Sequence, residues 1–264
     1  MKSQQHKPTN PIQLDMSNPH HRSQIVQRIK AEGTIVGIKF ITYGLLIDAV
    51  SPESSQRIAQ IKGKKITPQK QTASKTLTII IDNIQRISSI IDEDSIHPSL
   101  VTVLKTPSEF ARRVEGRALI NLPIKPHSQI NNHPLHEGVV SLTNQVYSLQ
   151  FLYLGNSHPD GHKLVTSLYA PTSGVKIPAV TSLNYTGEDT ITDHSKAYAF
   201  FSEKGISTYI TDSPTSNRSG SYPIIKIHSQ GIDIVRQGNL PPHQVLSLWP
   251  ELNTIRRSYP QPPL

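Results

Sequence analysis

The chain has 264 residues, with 27 Lys and Arg against 19 Asp and Glu, a formal net charge of +8 and no cysteine. It is long enough for one large domain or two small ones with a proper core. The missing cysteines exclude a disulfide scaffold, a thiolate metal site and a Cys nucleophile.

Residues 1–22 are rich in Gln, His, Asn and Pro and read as a disordered lead-in. Ser23 to Glu32 reads as a helix with Ile25, Val26 and Ile29 on one face and Gly33 as its stop. Thr34 to Ile38 is a short apolar strand, and Thr42 to Ile47 is a turn leading into a second. Ser51 followed by Pro52 is an N-cap with proline at the first helical position, so a helix runs to about Lys62 with Ile58 and Ile61 inward. Gly63 to Lys75 is a lysine-rich loop. Leu77 to Ile81 is a buried strand, and Asp82 or Asn83 caps a helix to about Ile91.

Pro98 to Leu104 reads as strand, Pro107 to Val114 as helix, Ala118 to Leu122 as strand, and Ile124 to Pro134 as loop. Leu142 to Leu154 is apolar enough for a helix, while Val146 to Tyr153 also fits a strand. Gly155 to Gly161 is a turn, Lys176 to Ser182 a strand, and Thr192 to Phe201 a helix with Thr192 or Asp193 near its start. Tyr209-Ile210 is strand, Ile224 to His228 and Gly231 to Gly238 pair as a hairpin, and Pro241 opens a last short helix before a tail. This interleaving makes the chain α/β, or α+β with a mixed sheet. The expected limits are 1–22 for the lead-in, 23–248 for the domain, with an extended or rearranged segment near 124–176, and 249–264 for the C-terminal tail.

The basic balance suits phosphate-bearing partners, nucleotides or RNA, and equally a plain basic surface. With no run of about 18 apolar residues, no membrane span is expected. Without an apolar leader region, the cytoplasm is the default compartment. The pairs His20/His21 and His158/His162 lack a third ligand nearby, so no metal site is expected. Neither a Gly-x-Ser-x-Gly elbow nor a P-loop is present.

One stretch carries more. Thr181-Ser-Leu-Asn-Tyr-Thr-Gly187 follows the apolar Ile177 to Val180 and places Ser182 and Asn184 at a strand end, where open α/β sheets hold ligands. It resembles the Ser-Ala-Asn-x-Ser-Gly motif of YrdC-like proteins. Tyr43-Gly-Leu45 and Lys62-Gly-Lys64 resemble that family's amino-terminal signature, together with Arg57-Ile58 and Lys75-Thr-Leu77. His97 to Leu104 resembles its Pro-Gly-Pro-Leu-Thr strand, and Gly231 to Gly238 its closing Arg-x-Gly strand.

The resemblance implies a twisted mixed sheet flanked by helices, with a concave basic cleft. It implies a nucleotidyltransferase, L-threonylcarbamoyl-AMP synthase, which makes threonylcarbamoyl-AMP and pyrophosphate from ATP, with Mg²⁺, L-threonine and bicarbonate, for N6-threonylcarbamoyl modification of tRNA adenosine. A binding module that uses the same groove for nucleotide, tRNA or double-stranded RNA is the alternative. The implied nucleotide and substrate contacts are Lys39, Tyr43, Lys62, Lys64, Ser182, Asn184, Tyr222 and Arg236.

The chain departs from the pattern where the ligands would be gripped. The family's Thr-acid-Thr is Lys39-Phe40-Ile41, and its Lys-x-Arg ends in Lys64, which loses the bidentate fork. A strand-terminal Ser-Thr is reduced to Tyr222-Pro223, with one hydroxyl. If the turn before Tyr43 keeps the family's register, Lys39 points into the cleft and Phe40 away, and anions are preferred to zwitterionic threonine.

Overall fold

The computed structural model describes residues 10–31, 34–63, 77–135, 138–185, 188–212 and 220–251. In chain order these form β1 (Ile12–Asp15), α1 (Pro19–Lys30), β2 (Val36–Lys39), β3 (Tyr43–Asp48), α2 (Pro52–Ile61), β4 (Thr78–Ile81), α3 (Gln85–Ser88), α4 (Pro98–Lys105), α5 (Pro107–Val114) and β5 (Leu119–Pro123). There follow β6 (Gln129–Ile130), β7 (His133–Pro134), β8 (Val140–Thr143), β9 (Val146–Tyr153), α6 (Pro159–Tyr169), β10 (Pro178–Ser182), α7 (His194–Glu203), β11 (Thr208–Thr211), β12 (Ile224–His228), β13 (Gly231–Arg236) and α8 (Pro242–Ser247).

One mixed sheet organises the chain, in the order β1-β11-β2-β3-β10-β4-β9-β5-β12-β13, with β8 paired to β9. Its central strands are apolar at successive positions because helices cover both faces. Leu45, Ile47, Ile79, Ile81 and Phe151 turn to the face covered by α2 to α5, α7 and α8. Leu46, Ile80 and Leu152 turn to the other face, under α1 and α6. The α/β expectation, a mixed sheet flanked by helices, is met. Among the described residues no helix is long and apolar enough to cross a membrane.

Several expectations hold locally. Ile25, Val26 and Ile29 of α1 are buried. Ser51 caps α2 by accepting from the Ser54 amide at 3.2 Å. Asp193 caps α7 by accepting from the Lys196 amide at 2.9 Å. The loop expected over residues 63–75 lies outside the described residues beyond Gly63.

Others are corrected. The disordered lead-in expected to residue 22 contains β1, which pairs in parallel with β11, and the start of α1. Asn18 accepts from the His20 amide, and Pro19 takes the first helical position, so the start signal lies earlier than Ser23. Pro98–Lys105 is a helix, not a strand. Leu100, Val103 and Leu104 are its buried face, a helical spacing that the β-branched content obscures. Leu142–Leu154 is not a helix: β8 and β9 form a hairpin through Asn144 and Gln145, both at positive φ. The turn expected at 155–161 gives way to α6, with Pro159 at its first position and Gly161, Leu164, Val165, Leu168 and Tyr169 buried. The helix expected from Asn83 to Ile91 shrinks to the single turn of α3.

Residues 249–251, expected in the tail, belong to the domain. Trp249 is fully buried, and Glu251 forms a double ion pair with the Arg113 guanidinium at 2.6 and 2.7 Å. Segment 124–176 supplies β9 between β4 and β5, in the middle of the sheet.

Candidate functional site

On the face under α1 and α6, those helices leave part of the sheet uncovered. There the end of β2, the start of β3 and the end of β10 meet β4, β9, β5, β12 and β13 around a cavity of about 880 Å³, counted out to its open mouth. Gly44 lets the strands close up: a Cβ there would stand 2.8 Å from the Thr181 carbonyl oxygen. Ile38, Phe40, Leu119, Leu152, Val180 and Ile224 make the apolar wall.

The polar groups converge from distant parts of the chain. Thr42, Thr78, Gln150, Ser182, Thr190 and Ser221 supply hydroxyls and an amide. Gln150 Nε2 donates to Thr78 Oγ1 across β9 and β4. Thr42 Oγ1 is buried without a hydrogen-bond partner. Arg236 is the one charged side chain among the described residues of the lining. Its Nη2 donates to the Tyr222 carbonyl at 2.8 Å, its Nε is buried without a partner, and no described carboxylate pairs with it. Burial pulls its pKa below the ordinary arginine value. A half-buried guanidinium with a spare donor and no counterion is suited to an anionic group.

Ser182 connects the cavity to a buried cluster. Its hydroxyl donates to Asn184 Oδ1 at 2.8 Å, and Lys62 Nζ, from the end of α2, donates to the same oxygen at 3.1 Å. Asn184 Nδ2 donates to the Glu188 carbonyl at 2.6 Å. Lys62 and Asn184 are 6% and 2% exposed, so this is a packed network rather than a solvated helix end.

Of the residues expected at the site, Tyr43, Ser182, Tyr222 and Arg236 line the cavity, and Lys62 and Asn184 join it through Ser182. Lys64 lies outside the described residues. Lys39 does not line the cavity. Ile38 faces it, so the next residue on the strand faces away, and the chain turns after Lys39 to bring Phe40 into the wall. Lys39 pairs in register with Tyr43, and its Nζ lies 5.7 Å from the centre of that ring. The expected orientations of Lys39 and Phe40 are therefore reversed. The Tyr43 ring lies toward α7, its hydroxyl 2.9 Å from His194 Nδ1, and burial pushes its pKa up to about 12.

Sequence reasoning missed Phe40, Thr78, Gln150 and Thr190. Gln150 was detectable as a polar residue between Leu149 and Phe151 in an apolar strand; the others carry no comparable signal. His158 meets the Tyr222 hydroxyl at 3.4 Å. Among the described residues no group of three or more His, Asp or Glu could hold a metal ion.

No protein-family model matches the chain, and no curated protein matches it significantly. Solved structures do. P. abyssi Sua5 complexed with L-threonine superposes with a TM-score of 0.64 at 18% identity, over 92% of this chain and 62% of that one. E. coli YciO gives 0.61 at 13% identity, over 88% and 97%. Full-length HypF in its phosphate- and nucleotide-bound form gives 0.55 at 14% identity, over 83% and 24%. The chain thus spans less than two thirds of the length of the Sua5 structure. Identities this low speak to architecture alone, and the architecture agrees with the motifs: the chain has the YrdC-like fold shared by Sua5 and YciO.

Proposed function

We propose that the cavity is a nucleotide site and that the chain acts as a nucleotide-binding module on the YrdC-like fold. One observation carries this reading: Tyr43, Ser182, Tyr222 and Arg236, far apart in sequence, line one cavity. Arg236 takes the anionic group, Ser182 and Thr42 supply hydrogen bonds beside it, and the apolar wall receives the flat base. Calorimetric titration with ATP and AMP is the test. Binding that is lost in Arg236→Gln supports the site, and binding that this variant leaves intact removes it.

A second reading, threonylcarbamoyl-AMP synthesis, is favoured by the Lys62–Asn184–Ser182 network and by the likeness to a fold solved with L-threonine in P. abyssi Sua5. In that reaction a carbamate oxygen formed from threonine and bicarbonate attacks the α-phosphate of ATP in line, and pyrophosphate leaves. Ser182 and Arg236 would hold the nucleotide in place during the displacement. The product would feed tRNA modification. The described lining has no carboxylate, so it offers Mg²⁺ no protein ligand, and the ion would arrive on the phosphates of ATP. Phe40 and Ile41 stand where the resemblance expects a carboxylate and a hydroxyl, which weighs against a threonine ammonium. Pyrophosphate release from ATP that requires both threonine and bicarbonate would establish this reading; nucleotide binding without release leaves the module. RNA along this cavity is the weaker form of the module, because a polyanion needs more than the one cation that the described lining supplies.

A further inference from the structure

The sheet face that floors the cavity continues past it, across β9, β5, β12 and β13. On β5 and β12 burial alternates along the strand. Ile120, Leu122, Ile225 and Ile227 are buried on the far face, while Leu119, Asn121, Ile224, Lys226 and His228 are half-buried on this one. Such alternation marks a face without a helix packed on it. The register sets a row of polar side chains there. Gln150 of β9, bonded to Thr78, pairs with Asn121 of β5; Asn121 pairs with Lys226 of β12, and Lys226 with Asp233 of β13. The row begins in the cavity, which Thr78 and Gln150 line, and runs outward over three strand spacings, roughly 14 Å.

Arg236 stands beside this row. It pairs with Ile224, which precedes Lys226 on the same face of β12 by about 7 Å. A register shift between Ile224 and Ile225 keeps Arg236 and Asp233 on one face, although an odd number of residues along β13 separates them. Beyond Arg236 the charges balance. Lys226 and Asp233 carry opposite signs, and His228 Nε2 lies 3.1 Å from Asp233 Oδ2. A run of free phosphates calls for a cation at each step, and here a carboxylate stands at one of them. A hydroxyl both donates and accepts, so a row of amides, an ammonium and a carboxylate satisfies several hydroxyls at once. Asn121 Oδ1 is buried without a hydrogen-bond partner, an unmet acceptor in the middle of the row.

We infer that this row is a subsite for a neutral, hydroxyl-rich group joined through phosphate to the bound nucleotide, so that the ligand class is a nucleoside diphosphate sugar. The inference rests on the reading of the cavity as a nucleotide site. The base lies against the apolar wall, Arg236 takes the diphosphate, and the sugar lies over Asn121, Lys226 and Asp233.

The test is calorimetric titration of the full chain with ADP, UDP, ADP-glucose, UDP-glucose and ATP. For the base that the cavity accepts, the sugar nucleotide should bind about tenfold tighter than the free diphosphate, because the sugar adds hydrogen bonds along the row. Asn121→Val and Asp233→Asn should each bring that ratio close to unity. Valine suits a strand and asparagine keeps the shape of the aspartate, so both variants keep the fold. Arg236→Gln should weaken diphosphate and sugar nucleotide together. If ADP or UDP binds and glucose adds no affinity, this inference alone is overturned. It is also overturned if either variant keeps the native ratio, or if ATP binds tighter than the sugar nucleotides and Lys226→Met weakens ATP the most, which would make the row a track for phosphates. If none of the five ligands binds, the nucleotide reading fails and this inference fails with it.

Discussion

Asn184 is the residue on which the buried network turns, and Asn184→Ala is the sharpest test of the site's construction. The side chain is 2% exposed and makes three hydrogen bonds: Oδ1 accepts from Lys62 Nζ and from Ser182 Oγ, and Nδ2 donates to the Glu188 carbonyl. A bond to a charged donor contributes about 1.5–3 kcal/mol and a neutral one about 0.5–1.5 kcal/mol, and the three are not additive. The expected loss is therefore about 3 kcal/mol, a large part of the roughly 5–15 kcal/mol that holds a domain folded. With a urea slope near ~3 kcal/mol per M, the unfolding midpoint falls by about 1 M. Lys62→Met removes the ammonium, so in that background the same Asn184 substitution should cost about half as much. Nucleotide affinity should fall with stability, because Ser182 loses the acceptor that fixes its side chain at the end of β10. A loss below about 1 kcal/mol, or an equal loss in both backgrounds, would show that the network does not hold the β10 terminus in place.

Burial raises the Tyr43 pKa to about 12 from an ordinary value of 10.0, so the unfolded chain releases this proton first. Its contribution to stability is complete below pH 10 and is lost as pH rises toward 12; urea unfolding at pH 9 and 11 should show a decline that Tyr43→Phe reduces. Trp249→Ala should destabilise the fold by about 3–5 kcal/mol, because the fully buried indole packs edge-on against Phe110; a midpoint within error of the native one would return residues 249–251 to the tail. Lys39→Thr should leave nucleotide affinity in calorimetry unchanged, whereas Phe40→Thr should lower it at least about threefold, because only Phe40 contributes apolar wall.

Legibility in the sequence followed the range of the interaction. Caps and amphipathic stripes act over a few residues, so Ser51, Asp193 and the Ile25, Val26 and Ile29 stripe were readable directly. The ordered motifs were readable too: they marked the fold and six of the residues that the structure brings to the cavity or its supporting network. Reading failed where local preference and packing disagree. Val101, Thr102 and Val103 favour a strand, yet they lie in α4, because Pro98 starts a helix there and Leu100, Val103 and Leu104 bury one helical face.

The sequence by itself determined the α/β class, the positions of most strands, and the identities of Ser182, Asn184, Tyr222 and Arg236 as marked residues. Only the tertiary structure decided what they face. Whether Lys39 or Phe40 enters the cavity depends on where β2 ends and the chain turns, and a shift of one residue exchanges the two faces. Whether Lys62 is a solvated cation or a buried donor depends on the approach of α2 to the end of β10, 122 residues later in the chain. Such contacts are fixed by sheet order and helix packing, and no local pattern of residues encodes them.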